Sequence, residues 1–274
     1  MYDEQQLQDR RDEKKGSVDN SYWAINASRE DGESYTTAVE ALSYEAVEIA
    51  SCELHLGNVE AAREWFARAA LADRSYLHLF TTRWEELSPS TQTRGGTRAL
   101  SAVHNALLAG DHRLLETVTQ QVLTLSDNYP TEYGGTGEYY WKACTIAYLV
   151  EDDPEAARDT LEAYVPVVEA DDRGKHSEGY IQMQRGLIES DQEQFLHAIH
   201  QMLEQYDASV DELPSRMELM SRPIAAHRFL ARDRGMDVDI DSTYLPDALD
   251  EYGIDGEIEL PRPDYLREEL VVGE

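Results

Sequence analysis

One joint recurs four times along the chain and limits most of what it can fold into: an apolar helical stretch, a tight turn holding Asn or Asp, and a second apolar helical stretch. It reads LHLGNVEAAREWFARAA about Asn58, LLAGDHRLLETVTQQV about Asp111, LVEDDPEAARDTL about Asp153 and LIESDQEQFLHAIHQML about Asp191. On both sides of each turn the apolar residues return every three or four positions, which places them on one face of a helix. Val39, Leu42, Ala46, Ile49 and Leu56 lead into the first turn, and Val59, Ala62, Trp65, Phe66 and Ala69 leave it. The expected fold is therefore all-α: an array of αα-hairpins of tetratricopeptide-like kind, closed by an irregular C-terminal tail. The joints lie 53, 42 and 38 residues apart, from Asn58 to Asp111 to Asp153 to Asp191, so the array is degenerate and has no fixed period.

The turn residues have a physical reason. Asn or Asp just before a helix can accept a hydrogen bond from the unpaired amides of its first turn, and a preceding glycine can take the left-handed conformation that ends a helix. Asn58, Asp111, Asp153 and Asp191 are read as such caps. Pro154 suits the first helical turn, and Gln194, three residues after Asp191, completes a capping-box pattern. The later faces are Leu100, Val103, Ala106 and Leu107 with Leu114, Leu115, Val118, Val122 and Leu125; Tyr140, Ala143, Ile146, Ala147 and Val150; and Tyr180, Ile181, Leu187 and Ile188 with Leu196, Ile199, Leu203 and Tyr206. Pro166 is expected to end or kink its helix. A last helix is expected over 213–234. Residues 1–33 read as a charged, partly ordered leader with a short helix docked through Trp23, residues 34–235 as the array, and 236–274 as an irregular segment packed on it.

Composition narrows the function. Asp and Glu outnumber Lys and Arg by 55 to 24, a formal charge of −31, and the lysines are Lys14, Lys15, Lys142 and Lys175. Acid excess with scarce lysine is the surface expected of a molar-salt cytoplasm, which points to a halophilic archaeon. No basic stripe is available to displace counterions, which argues against direct binding to nucleic acid. No apolar run approaches the roughly 20 residues of a membrane span, and the N-terminus lacks a signal-peptide core, so a cytoplasmic protein is expected. Cys52 and Cys144 fall inside apolar helical stretches and read as buried free thiols.

Signals for chemistry are weak. Glu193, His197, His200 and Glu204 share one helical stripe, but no second Glu-x-x-His element accompanies them, and a polar stripe is the better reading. Asp237, Asp239 and Asp241 begin like a calcium loop, yet Ser242 and Ala248 stand where Gly and Glu are required. Arg94 and Arg98 beside Gly95 and Gly96 would suit an anion, although an ordinary inter-hairpin loop explains them better. No nucleophile elbow, P-loop or dinucleotide fingerprint is present, so no catalytic residue, metal or cofactor is expected and the chain is not read as an enzyme. The stretch most suited to contact is SDNYPTEYGGTGEYYW, where Tyr129, Tyr133 and Tyr139 surround a glycine-rich loop; aromatic residues on loops are common interface anchors.

The hairpin LHLGNVEAAREWFARAALADRSYLHLF and the closing SRPIAAHRFLARDRG and YLPDAL elements resemble the Imm49 family of immunity proteins, over roughly residues 34–260. Members of that family are mostly all-helical, accompany polymorphic toxins and occur in haloarchaea. The resemblance implies stoichiometric binding of a cognate protein toxin, with clustered acids suiting a basic nuclease; it carries over no functional residue. The competing reading is a tetratricopeptide-like adaptor that presents a groove to a peptide or regulatory partner.

Overall fold

The computed structural model describes residues 2–28, 31–125, 137–170, 174–209, 219–254 and 256–258. The described residues form α-helices joined by short turns: α1 (Glu4–Ala27), α2 (Gly32–His55), α3 (Val59–Thr82), α4 (Pro89–Gln92), α5 (Gly95–Ala109), α6 (His112–Thr124), α7 (Gly137–Val150), α8 (Pro154–Ala170), α9 (Gly174–Glu189), α10 (Gln192–Ser209) and α11 (Arg222–Asp233). Single 3₁₀ turns occupy Trp84–Glu86 and Asp247–Asp250. The four expected hairpins are α2/α3, α5/α6, α7/α8 and α9/α10. None of the described helices is long and apolar enough to cross a membrane.

Each joint is built on one left-handed residue followed by the cap: Gly57 before Asn58, Gly110 before Asp111, Asp152 before Asp153 and Ser190 before Asp191. At three of them the cap residue's own amide reaches back to the preceding helix, from Asn58 to Glu53 O, Asp153 to Tyr148 O and Asp191 to Gly186 O, which satisfies carbonyls the helix end would leave open. Asp111, Asp153 and Asp191 then accept from the amides of Leu114, Ala156 and Gln194. Asn58 departs from expectation: it makes no side-chain cap bond, and its side-chain Nδ2 donates instead to the buried Glu53 carboxylate at 2.8 Å. The capping box at Asp191 is half made, because the Gln194 side chain turns to Gln182.

Helix α5 is the centre of the packing and touches α3, α6, α7 and α11. Its residues are buried nearly all round, as an interior helix requires. Polar side chains in this interior are gathered on Asp73 of α3. Its carboxylate accepts from Ser43 of α2 at 2.9 Å and from Arg98 and Asn105 of α5, both at 3.0 Å. Arg222 at the start of α11 reaches the same centre through Ser101 and Asn105.

Three expectations are corrected. The N-terminal segment is no loose leader: residues 4–27 form one helix, seated on α2 by Arg10 against Glu48 (2.6 Å), Lys15 against Glu53 (3.0 Å) and the buried Leu7, Val18 and Ile25. Trp23 does not dock it, since that side chain is 74% exposed. Pro166 does not end its helix: α8 runs on to Ala170. The last helix starts at Arg222, with Leu219 and Met220 buried ahead of it outside any helix, while residues 210–218 lie outside the described set.

Beyond Gly235, Met236, Val238 and Ile240 are buried while Asp237, Asp239 and Asp241 face out. That is the period of an extended segment lying on a core, and it accounts for the alternating acids without a metal. The chain then returns over the joints of the first two hairpins. Tyr252 donates to Leu108 O (2.9 Å), the Gly256 amide to Gly110 O (3.2 Å) and the Ile258 amide to the Asp111 carboxylate (2.7 Å).

Two substitutions test the joints. A methyl group at Gly110 would be held at φ 68° and pressed into the Gly253 carbonyl. Gly110→Ala should therefore lose at least about 2 kcal/mol of stability. Ser190, at φ 55° on an exposed turn, carries the same backbone cost without the clash, so Ser190→Gly should gain roughly 0.5–1 kcal/mol. Denaturant midpoints of the two variants should move in opposite directions.

Candidate protein-binding surface

The tyrosine-rich connection expected to make contact ends at the first turn of α7. Tyr139 sits there, 38% exposed, with its ring 5.6 Å from the Lys142 ammonium. Tyr140 is buried and Trp141 half-buried, so these two begin a helix packed on the core. Tyr129 and Tyr133 lie outside the described residues.

Of the clefts on the described surface, two are the most sizeable of those beside α1. One, of about 800 Å³, lies where α1, the first joint and the tail meet, between Arg11, Glu53, Glu60, Arg63 and Tyr252. Its cations are already engaged: Arg11 faces Glu53, and Arg63 donates to Ala109 O and Gly110 O while lying over the Tyr252 ring. This cleft is a seam that fastens the tail. The other, of about 520 Å³, runs between α1 and the first half of α2. Small residues line it, among them Ser17, Ala24, Ser34 and Ala41, with Glu33 and Glu45 as its carboxylates. Large apolar side chains exposed among the described residues are Tyr2, Trp23 and Tyr139, and Trp23 is the most exposed of them. An aromatic residue in a polar stretch reads as a docking contact, so the sequence does not disclose that Trp23 is exposed.

The remaining candidates resolve simply. Glu193, His197, His200 and Glu204 all face solvent on α10, and His197 meets Gln201 at 2.9 Å. Among the described residues no group of three or more His, Cys, Asp or Glu is placed to hold a metal ion. Arg94 pairs with Glu40 at 2.7 Å, and Arg98 is buried against Asp73, so the two arginines do not converge on one anion site. Cys52 and Cys144 are free and buried, and burial pushes their thiols up to about 11 and about 12, which leaves them unreactive.

The most strongly perturbed groups are interior ones. Glu138 and Lys142 of α7 form a buried pair joined by Tyr164 of α8 and Ser177 of α9, both 3.1 Å from the carboxylate. Burial pushes the Glu138 carboxyl up, but Lys142 and these hydroxyls more than offset it and hold it below the usual range. The ammonium lies 4.4 Å from the Tyr180 ring centre, and the Tyr180 hydroxyl meets His104 at 2.9 Å. His227 of α11 stands edge-on to both rings and bonds Pro223 O through Nδ1, while its Nε2 has no hydrogen-bond partner among the described residues. Burial lowers His104 well below its ordinary value and brings His227 down to about 4. With every member buried, this cluster serves the packing of α5, α7, α9 and α11.

A family model described as Imm49, Immunity protein 49, matches residues 33–249, from the start of α2 to the 3₁₀ turn of the tail. Helix α1 falls wholly outside that match. Comparison with curated proteins and with solved structures finds no match.

The two interior histidines make stability depend on pH with a definite sign. Unfolded, His227 takes up its proton near pH 6.5; folded, it stays neutral until about 4. The unfolded chain thus holds more protons within that window, and stability is full above about pH 6.5 and falls as pH drops toward 4. His227 alone accounts for roughly 3 kcal/mol, and His104 adds in the same direction. His227→Phe should flatten the fall between pH 6.5 and 4, leaving the part that His104 contributes. An unchanged slope in pH-dependent denaturation would mean that these rings do not control it.

Proposed function

The chain belongs to the Imm49 family, Immunity protein 49, and from that membership we propose that it neutralises a cognate protein toxin by binding it stoichiometrically. The family match over residues 33–249 carries this reading. The form of the molecule agrees with it: an array of packed helices whose perturbed histidines and free thiols are buried, in a chain whose acids outnumber its basic residues by 55 to 24. Such a molecule works by covering an active site or the approach to it, and the acid excess suits a basic partner such as a nuclease. The connection carrying Tyr129, Tyr133 and Tyr139 supplies aromatic contact area within the family-matched part of the chain.

Co-expression with the toxin encoded beside its gene is the direct test. Growth should be rescued and a complex of fixed stoichiometry should co-purify; failure of both would end the immunity reading. The combined Tyr129→Ala, Tyr133→Ala and Tyr139→Ala variant should bind about tenfold more weakly or worse while keeping its helical circular dichroism.

A further inference from the structure

Among the described helices α1 packs on α2, and the side chains it buries there are few: Leu7, Val18, Ser21 and Ile25. Polar contacts do much of the fastening. Arg10 and Lys14 lie 2.6 and 3.5 Å from Glu48, Arg11 and Lys15 lie 3.6 and 3.0 Å from Glu53, and the Ser21 hydroxyl donates to Glu45 at 2.8 Å. Gly16 stands midway along the helix. A methyl group there would meet nothing within 4 Å, so packing does not require this glycine, and it weakens the helix. Helix α2 starts without help from α1, because the Asp31 carboxylate accepts from the Glu33 and Ser34 amides. The family match likewise begins after α1, at residue 33.

We propose that α1 is a separable cover: it leaves α2 as a unit while α2–α11 stay folded, and so gates the face of α2 that carries Glu48, Cys52 and Glu53. Opening strands no ion. Glu48 and Glu53 are buried with α1 in place, and when it departs they and their cations return to water together. Withdrawing α5 from α3, by contrast, would break the buried Arg98–Asp73 pair. Off α2, a polar 24-residue helix with a central glycine is marginal in water and melts, so docking alone keeps it formed. Openings of this kind need less free energy than global unfolding. Cys52 records the event, because it is fully buried and Leu7 of α1 helps to enclose it, together with Leu219 and Leu56. Cys144 belongs to α7 and the main core, and is reached through loss of that core.

The test is modification of the full chain by N-ethylmaleimide at neutral pH, with peptide mass spectrometry assigning the label to Cys52 or Cys144. Cys52 should react at least about 30-fold faster than Cys144, since α1 opens ahead of global unfolding. In sub-denaturing urea the Cys144 rate should climb steeply and the Cys52 rate little, because opening α1 exposes little surface. Lys14→Gln with Lys15→Gln removes two ion pairs, leaves the carboxylates intact and should raise the Cys52 rate about fivefold. Gly16→Ala favours the formed helix and should lower that rate about fourfold. One common rate for the two thiols, with one urea dependence, would mean that Cys52 is reached by global unfolding and would overturn the proposal. A fast Cys52 that both sets of substitutions leave within twofold would assign its uncovering to the Leu219 side and overturn it as well.

Discussion

Asp73 is the group around which the helices must agree. It is 1% exposed, and a carboxylate so placed costs several kcal/mol unless donors surround it. The donors come from α2 through Ser43 and from α5 through Arg98 and Asn105, while Arg222 of α11 adds charge from one step further out. Arg98 is itself 1% exposed and is closed off by the Tyr44 hydroxyl and by its ring, 4.5 Å away. Burial raises the Asp73 carboxyl, and Arg98 and Arg222 oppose that shift. Faces of alanine and leucine can slide past one another by a turn at modest cost. This centre cannot, because a slip of one residue would leave a buried ion alone. Its contribution is therefore registry between α2, α3, α5 and α11 more than net stability.

Helix α11 links that centre to the rest. Arg222, at its start, faces Asp73; His227, midway, lies in the ring cluster with His104 and Tyr180; Arg228 donates to Val238 O and pairs with Asp250 of the tail at 2.5 Å. One twelve-residue helix thus ties the first two hairpins, the third and fourth, and the returning tail. The tail in turn presses Tyr252 between Phe229 and Arg63 and closes the joint at Gly110. The family match takes in α11 and the hairpins it ties and ends at Leu249, just before Asp250 and Tyr252.

What the sequence disclosed follows from which forces leave a periodic trace. Apolar burial repeats every three or four residues, so the four hairpins and their turns were legible, down to Gly110 and Asp111. Ion pairing leaves no such trace. Helix α1 buries few apolar side chains and is held largely by Arg10, Lys14 and Lys15 against Glu48 and Glu53, so its composition reads as solvated leader. Arg98 was read as part of an exposed loop because an arginine beside two glycines looks like one; only the fold reveals Asp73 opposite it. The same limit governed the candidate surface. Composition singles out Tyr139, which is exposed, but the exposure of Trp23 depends on which face of α1 meets α2.

The distribution of charge also changes what a formal −31 means. Many of the cations turn inward: Arg10, Arg11, Lys14 and Lys15 to the carboxylates of α2, Arg98 to Asp73, Lys142 to Glu138, and Arg63, Arg232 and Arg234 to backbone carbonyls. The outer surface is left more uniformly acidic than the composition suggests. Such a field attracts any basic partner and distinguishes poorly among them. In molar salt its reach shrinks to about 3 Å, within which only groups already in contact feel one another. Selectivity under those conditions has to come from shape and from apolar area that salt does not screen. Trp23 is apolar area of that kind, exposed on a helix held in place by its own charge pairs.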